Sequence, residues 1–147
     1  MITRLGHIAI RTSDILNSVK FYVDVLGLQE AFRMYGDDGG LATVYIYVAP
    51  NQFLELFANG KKTCERGNDV IGMVHICLEV PDIKAAYEEM QEKGAPLDSE
   101  IRLGNAKCKL FWTHDPDGNP VELMELPPES LQAQATKRIA QEQRPKY

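Results

Sequence analysis

The sequence predicts an α+β fold in which one module, a strand, a helix and three further strands (βαβββ), occurs twice. Two observations carry this prediction: short motifs recur at an offset of 67 or 68 residues, and each half shows the same order of strand and helix patterns. HIAIRTSDI begins at His7 and HICLEVPDI begins at His75, while FLELF surrounds Glu55 and PVELM surrounds Glu122. Because several markers keep one offset, we interpret the chain as a duplicated module.

Each predicted module opens on a strand with alternating apolar residues, which is followed by an amphipathic helix. We expect the first helix to be capped by Thr12 or Ser13 and the second by Asp82, and both to end at a glycine, Gly27 or Gly94. Turn-forming residues separate the strands that follow. In chain order the predicted strands cover residues 5–11, 29–35, 41–48, 53–58, 74–80, 98–102, 107–113 and 121–126.

The two modules, at about residues 3–66 and 71–126, are expected to form one domain over residues 1–126, with a polar linker at residues 60–70. The tail, residues 127–147, differs in composition. Its Leu131, Ala135 and Ile139 recur at helical spacing, which predicts a modest amphipathic helix packed on the body or on a partner subunit. A solvated terminus is the alternative.

Composition excludes several classes of protein. Of the 147 residues, 44% are hydrophobic and 25% charged, which is typical of a globular domain, and the net charge of −5 lacks the basic footprint of a nucleic-acid binder. No apolar run approaches the roughly 20 residues that span a bilayer, and the first residues lack a signal-peptide pattern. Three cysteines without a CxxC pair fit a reducing compartment, so we expect a cytoplasmic protein without a membrane or nucleic-acid partner.

Strand alternation places four candidate ligands on one kind of surface. Leucine, isoleucine and valine neighbours occupy the opposite face around each of His7, Glu55, His75 and Glu122, and that apolar face is the one the helices can cover. All four side chains therefore lie on the uncovered face, where a curved sheet would direct them toward one cleft. Two imidazoles and two carboxylates suit a divalent first-row metal and leave its Lewis acidity available to a substrate oxygen.

Other polar residues near these positions have less specific predictions. Arg11 shares the face of His7 and could bind a substrate carboxylate or form a surface salt bridge. Cys77 is expected to line a pocket rather than act as a nucleophile. His114 has no partner in the repeat and is expected to be a surface residue. The tyrosines Tyr35, Tyr45 and Tyr47 are expected to pack on the sheet.

These motifs together resemble the vicinal-oxygen-chelate superfamily and, within it, the glyoxalase I (lactoylglutathione lyase) family. The resemblance extends over GHIAIRTSDILNSVKFYVDVLGL, FLELF, VHICLEV and HDPDGNPVELME, nearly to Leu126. It implies metal ligands at His7, Glu55, His75 and Glu122, and substrate-binding roles for Arg11 and Asn59. Gly60-Lys61 replaces the tryptophan-glycine pair that usually follows this asparagine, and Gly104 stands where a lysine is common.

The resemblance further implies a cupped mixed/antiparallel sheet and a homodimer in which two ligands come from each chain. It implies one divalent ion per site, Ni²⁺ or Zn²⁺ with Co²⁺ and Mn²⁺ as alternatives. The implied reaction is isomerisation of a hemithioacetal or other 2-hydroxy-carbonyl substrate through an enediolate, as in methylglyoxal detoxification. Glu122 would act as the base, and Glu55 would act as the base for a substrate of the opposite configuration.

Other activities on the same scaffold are alternatives. A methylmalonyl-CoA-type epimerase or a hydroxy-carbonyl isomerase would use the same enolate chemistry. An extradiol dioxygenase or a fosfomycin-type thiol transferase uses three ligands, so Glu55 as a fourth ligand counts against both. A drug-binding protein of the bleomycin-resistance kind would hold its ligand without metal, and metal analysis separates that alternative from the others.

Overall fold

The strands of this protein, described by a computed structural model over residues 2–63, 67 and 69–142, form two four-stranded sheets. The elements in chain order are β1 (His7–Arg11), α1 (Ile15–Lys20, continuing as a π-helical turn over Phe21–Val25), β2 (Gln29–Tyr35), β3 (Leu41–Ala49), β4 (Gln52–Phe57), β5 (Ile76–Glu79), α2 (Ile83–Glu92), β6 (Arg102–Leu103), β7 (Lys109–His114), β8 (Pro120–Glu125) and α3 (Leu131–Glu142). Within the described ranges, every helix is too short or too polar to cross a membrane.

Both sheets have the same topology. The strand orders are β1-β4-β3-β2 and β5-β8-β7-β6, with the outer first strand parallel to its neighbour and the other pairs antiparallel. This identity confirms the predicted α+β fold with a duplicated βαβββ module. The chain divides into two compact units, the first comprising Met1–Val74 with Asp115–Asn119 and the second comprising His75–His114 with Pro120–Tyr147.

The core of the first unit lies between its sheet and α1. Ile10, Leu54 and Leu56 alternate with more exposed neighbours along β1 and β4, and each is less than 10% exposed, as are Ile15 and Val19 of α1. The apolar face that the sequence predicted for these strands is therefore the face that α1 covers. Burial of a side chain of this size stabilises the fold by about 1.5–3 kcal/mol.

The N-cap of α1 differs from the prediction. Asp14 is the cap, because its Oδ1 accepts hydrogen bonds from the backbone N–H groups of Leu16 and Asn17 at 3.0 and 3.1 Å. Ser13 is engaged elsewhere: its N–H and hydroxyl both donate to the Asp117 carboxylate. The prediction of Thr12 or Ser13 was wrong because the next residue, Asp14, offers the helix N–H groups a charged acceptor, while the Ser13 hydroxyl donates to the carboxylate of Asp117.

A fully buried carboxylate organises the loop Asp115–Asn119, which belongs to the first unit. Asp115 accepts hydrogen bonds from the hydroxyl of Tyr22 at 3.0 Å, from the side chain of Asn119 at 2.6 Å, and from the backbone N–H groups of Asp117 and Asn119. Four donors satisfy one ionised group, which a buried charge requires. Burial, together with the negative charge of Asp115, raises the pKa of Tyr22 above its ordinary value.

We expect Tyr22→Phe to lower the free energy of unfolding by about 1–3 kcal/mol, since it removes one donor from a buried carboxylate. The raised pKa of Tyr22 means that the folded state keeps this proton more tightly than the unfolded state. In the wild type this contribution is complete below the ordinary tyrosine pKa of about 10 and is lost as the pH rises above it. Urea unfolding at pH 8 and pH 11 measures both effects, and an identical alkaline loss in the variant would contradict the assignment to Tyr22.

The second unit repeats this arrangement around α2. Asp82 caps α2, as predicted, by accepting from the backbone N–H groups of residues 84 and 85, and Ile83 and Met90 are buried. Glu125 of β8 accepts a further hydrogen bond from the N–H of Ile83 and forms an ion pair with Lys109. The hydrogen bond from Ile83, and then the contact with Lys109, lower the pKa of Glu125. The end of β8 thereby fixes the start of α2.

The predicted strand over residues 98–102 was wrong for most of its length, because only Arg102–Leu103 pairs with β7. Upstream of it, the N–H of Trp112 donates to the hydroxyl of Ser99 instead of to a backbone carbonyl, and the Asp98 side chain binds His114. One backbone hydrogen bond remains in this segment, from the N–H of Asp98 to the carbonyl of Trp112 at 2.8 Å, and side-chain partners replace the rest of the ladder.

The tail contains α3, which is anchored at its N-terminal end. Buried Ser130 accepts from the N–H of Ala133 at 3.2 Å, and the N–H of Leu131 donates to the carbonyl of Ala106 at 2.9 Å. Leu131 and Ile139 of the predicted apolar stripe are 51% and 43% exposed. What holds α3 on the second unit is therefore its polar first turn rather than the stripe.

Candidate functional site

The first unit brings His7 and Glu55 together. His7 begins β1 and Glu55 lies on the neighbouring parallel strand β4, opposite the residue two positions after the histidine. His7 Nε2 is 3.2 Å from Glu55 Oε2, and Glu55 Oε1 accepts a 2.7 Å hydrogen bond from the Tyr45 hydroxyl. That hydrogen bond is the main reason that the pKa of Tyr45 is raised. Both oxygens of the carboxylate are thus held in place.

The second unit brings His75 and Glu122 together in the same way. Glu122 on β8 lies opposite Cys77 of the parallel strand β5, again two positions after the histidine. His75 Nε2 is 3.1 Å from Glu122 Oε2, and Glu122 is only 8% exposed. The two His–Glu pairs therefore share one geometry, as the repeat in the sequence predicts.

An aromatic side chain accompanies each pair and also follows the repeat. Tyr45 lies opposite Glu55 and Trp112 lies opposite Glu122 on the third strand of the respective unit. Each ring meets its histidine edge-on, with ring centres 6.1 Å apart in the first pair and 4.8 Å in the second. The sequence predicted only sheet packing for Tyr45 and no role for Trp112, although their offset of 67 is the same as that of the glutamates and could have identified both positions.

The donor atoms fit a divalent cation. A metal ion that binds nitrogen and oxygen at about 2.1 Å holds two adjacent ligand atoms about 3.0 Å apart, close to the distance in both pairs. Each pair supplies only two donors, whereas a stable site needs four or more. Over the described part of the chain, no group of three or more His, Cys, Asp or Glu side chains is suited to a metal ion.

The second pair borders a cavity of about 250 Å³. Cys77 and Met124 line it beside His75 and Glu122. Burial, and then the negative charge of Glu122, raises the pKa of Cys77 to about 12, so its thiol is protonated at neutral pH. A neutral thiol is a poor nucleophile, which agrees with the prediction that Cys77 lines a pocket.

The side chain of Arg11 is held by the end of β4. Its Nη1 donates to the carbonyl of Ala58 at 3.0 Å, and its guanidinium lies 5.1 Å from the centre of the Phe57 ring. Asn59 follows directly, exposed and with a φ of 66°. The next residue is Gly60, whose N–H donates a hydrogen bond to the carbonyl of Thr12. A larger residue would clash at this position, because its Cβ would lie 2.9 Å from that carbonyl oxygen. The two predicted substrate-binding residues therefore lie at one end of β1 and β4.

His114 is the last residue of β7 and has no counterpart in the sequence repeat. Its Nδ1 is 2.8 Å from the carboxylate of Asp98, and both side chains are close to half exposed. His114 is thus a surface residue, as the sequence predicted. It therefore offers a control position for tests of the other two.

Comparison with known proteins identifies the family. The family model described as the Glyoxalase/Bleomycin resistance protein/Dioxygenase superfamily matches residues 4–123. Among solved structures, that of the glyoxalase family protein from Enterococcus faecalis superposes with a TM-score of 0.70 at 23% identity, covering 83% of this chain and 97% of the other. The fold is shared with that protein.

Two curated relatives carry different activities in their names. An ethylmalonyl-CoA/methylmalonyl-CoA epimerase from Cereibacter sphaeroides is 31% identical over 126 residues, which is 81% of this chain and 93% of the relative. A probable lactoylglutathione lyase from Synechocystis sp. is 28% identical over 126 residues, 82% of this chain and 94% of the relative. At these identities both types of enzyme are homologues of the chain.

Proposed function

The chain belongs to the glyoxalase/bleomycin resistance protein/dioxygenase superfamily, and from this membership we propose that it is a metal-dependent enzyme that moves a proton on a carbon next to a carbonyl group. Its first candidate reaction is the isomerisation of a hemithioacetal, as in a lactoylglutathione lyase. The observation that carries the proposal is the duplicated His–Glu pair at ligand spacing. We propose His7, Glu55, His75 and Glu122 as the ligands of one divalent cation, Ni²⁺ or Zn²⁺ first and Co²⁺ or Mn²⁺ next.

In this proposal Glu122 is the general base. Enzymes of the superfamily generally use a divalent metal, which when bound stabilises negative charge on the two adjacent substrate oxygens. The Glu122 carboxylate removes the proton from the carbon beside the carbonyl, which produces an enediolate, and returns it to the neighbouring carbon. Glu55 performs this step for a substrate of the opposite hand, while Arg11 and Asn59 bind the distal part of the substrate.

A CoA-ester epimerase is the second candidate. The specific observation in its favour is the 31% identity to the ethylmalonyl-CoA/methylmalonyl-CoA epimerase. An epimerase removes the same kind of proton from one face of the carbon and delivers another proton to the opposite face of the same carbon, so one group acts as base and a second as acid. Glu55 and Glu122 would supply them.

Turnover in D₂O tests the proposal for both candidates. The purified protein is first analysed for metal and loaded with Ni²⁺ or Zn²⁺, and then assayed with methylglyoxal plus glutathione and, separately, with methylmalonyl-CoA. We expect deuterium to enter the product of one of them. Metal binding without deuterium exchange in either substrate would point to another hydroxy-carbonyl substrate, and a protein that binds no metal would refute the proposal in favour of metal-free binding of a small molecule.

We further propose that the enzyme is a homodimer in the cytoplasm. The support for a dimer is that each pair provides two donors, so that the first pair of one copy and the second pair of another make a full set. The support for the compartment is that Cys77 and Cys108 are free thiols.

Tyr45→Phe is expected to weaken metal binding by about 10–100-fold, because the Tyr45 hydroxyl fixes the orientation of the Glu55 carboxylate. The matched control is Tyr47→Phe, on the same strand, whose ring packs near Phe53. Competition with a chelating indicator measures both affinities. Equal affinities in the two variants would show that Tyr45 does not position a ligand.

A further inference from the structure

The C-terminal helix α3 lies beyond residues 4–123 that the family model matches, yet it borders the cavity beside His75 and Glu122. Gln132, in the first turn of α3, lines this cavity, and its Oε1 accepts a hydrogen bond from the thiol of buried Cys108 at 3.1 Å. The bond from the N–H of Leu131 to the carbonyl of Ala106 holds the same turn against the loop before β7. The tail therefore contributes part of the wall of the cavity.

The chemistry of the cavity selects for an uncharged, apolar group. Cys77, Cys108, Leu110 and Met124 form its apolar part, while its polar side chains are those of His75, Asn105, Glu122 and Gln132. No lysine or arginine is among its described lining residues. Glu122 is the only carboxylate among the described lining residues, so in the metal-free protein the cavity disfavours an anion. A volume of about 250 Å³ is below the roughly 300–1,000 Å³ of pockets for whole ligands, so it fits part of a substrate.

We propose that this cavity holds the alkyl substituent of the reacting carbon, and that Gln132 of α3 limits the length of that substituent. The inference rests on the proposed function in that Glu122 is the base acting at that carbon. The thiol carrier of the substrate is too large for the cavity and lies outside it. Gln132 is a specificity-determining residue here and takes no part in the proton transfer.

The chain has a reporter for occupancy of the cavity. Trp112 is the only tryptophan, and it packs against Cys108, Leu110 and Met124, three residues that line the cavity. Its Nε1 is buried without a hydrogen-bond partner in the described residues, so its emission depends on what contacts the ring. Binding can therefore be followed in the full-length, metal-free protein, independently of any turnover.

The experiment titrates the metal-free protein with primary alcohols from ethanol to octanol and follows Trp112 emission. We expect saturable binding that tightens about fourfold with each added methylene group, the change that corresponds to burying one CH₂. Tightening stops at the chain length that fills the cavity. Absence of a saturable response in the wild type would overturn the proposal without bearing on the metal or on turnover.

Three variants assign the limit to Gln132. Gln132→Ala is expected to move the limit to longer alcohols, whereas Gln132→Met, which keeps the length of the side chain but not its hydrogen bond to Cys108, should leave the limit unchanged. Gln141→Ala makes the same replacement near the other end of α3, outside the cavity lining, and is the control. If Gln132→Ala and Gln141→Ala share the wild-type limit, α3 does not set the size of the group and the proposal is wrong.

Discussion

Replacing Glu122 by glutamine is expected to lower kcat by about 10²–10⁴-fold while the protein still binds its metal. The amide has the shape of the carboxylate and keeps an oxygen that can ligate a cation, but it cannot accept a proton from carbon. Glu122 is also the carboxylate that borders the cavity. Steady-state kinetics with the substrate identified by deuterium exchange, together with metal analysis of the same preparation, measure the two properties separately.

Glu125→Gln is the matched control, since it changes the same residue type on the same strand. Glu125 bonds the N–H of Ile83 and Lys109 rather than a histidine, so its replacement should leave kcat unchanged. Glu55→Gln shows which carboxylate serves which hand of substrate. Full activity of Glu122→Gln with an inactive Glu55→Gln would assign the base to Glu55 instead.

The fold was predictable from this sequence because two independent signals agree in it. Alternation of apolar residues determines which face of a strand is buried, and the offset of 67 or 68 residues shows that the strands recur in one order. The side chains of His7 and Glu55 could therefore be placed on one face before their strands were known to be neighbours. The observed parallel pairing of β1 with β4 brings them within 3.2 Å.

What could not be predicted depends on strand register and on contacts between distant segments. Alternation assigned Tyr45 to a face but not to the position opposite Glu55, which only the pairing of β3 with β4 determines. The hydrogen bond from Cys108 to Gln132 joins the residue just before β7 to a helix whose packing has no signal in the local pattern. The hydrogen bond from the Ser13 hydroxyl to Asp117 likewise joins residues 104 positions apart, so the local sequence could not show that Ser13 is engaged there and that Asp14 caps α1.

His7→Ala and His75→Ala are each expected to abolish binding of the metal at micromolar concentration, with loss of activity. Removing a ligand should cost more than the roughly 10–100-fold that is typical of replacing a group that only orients a ligand. His114→Ala is the control, because the third histidine of the chain pairs with Asp98 at the surface. If one cation is held by both pairs, each of the two variants loses the whole metal content. Retention of half the metal in each would instead indicate two separate two-residue sites.

Mixing the two inactive variants tests how the four ligands assemble. In a dimer with shared sites, a hybrid of a His7→Ala chain and a His75→Ala chain has one site that lacks both histidines and one site that lacks neither. Random exchange of subunits makes about half of the dimers hybrid, so about a quarter of the sites should regain metal and activity. Unfolding and refolding the variants together, with each variant refolded alone as the control, provides the exchange. No recovery in a protein that is dimeric by sedimentation would mean that the ligands of one cation come from a single chain.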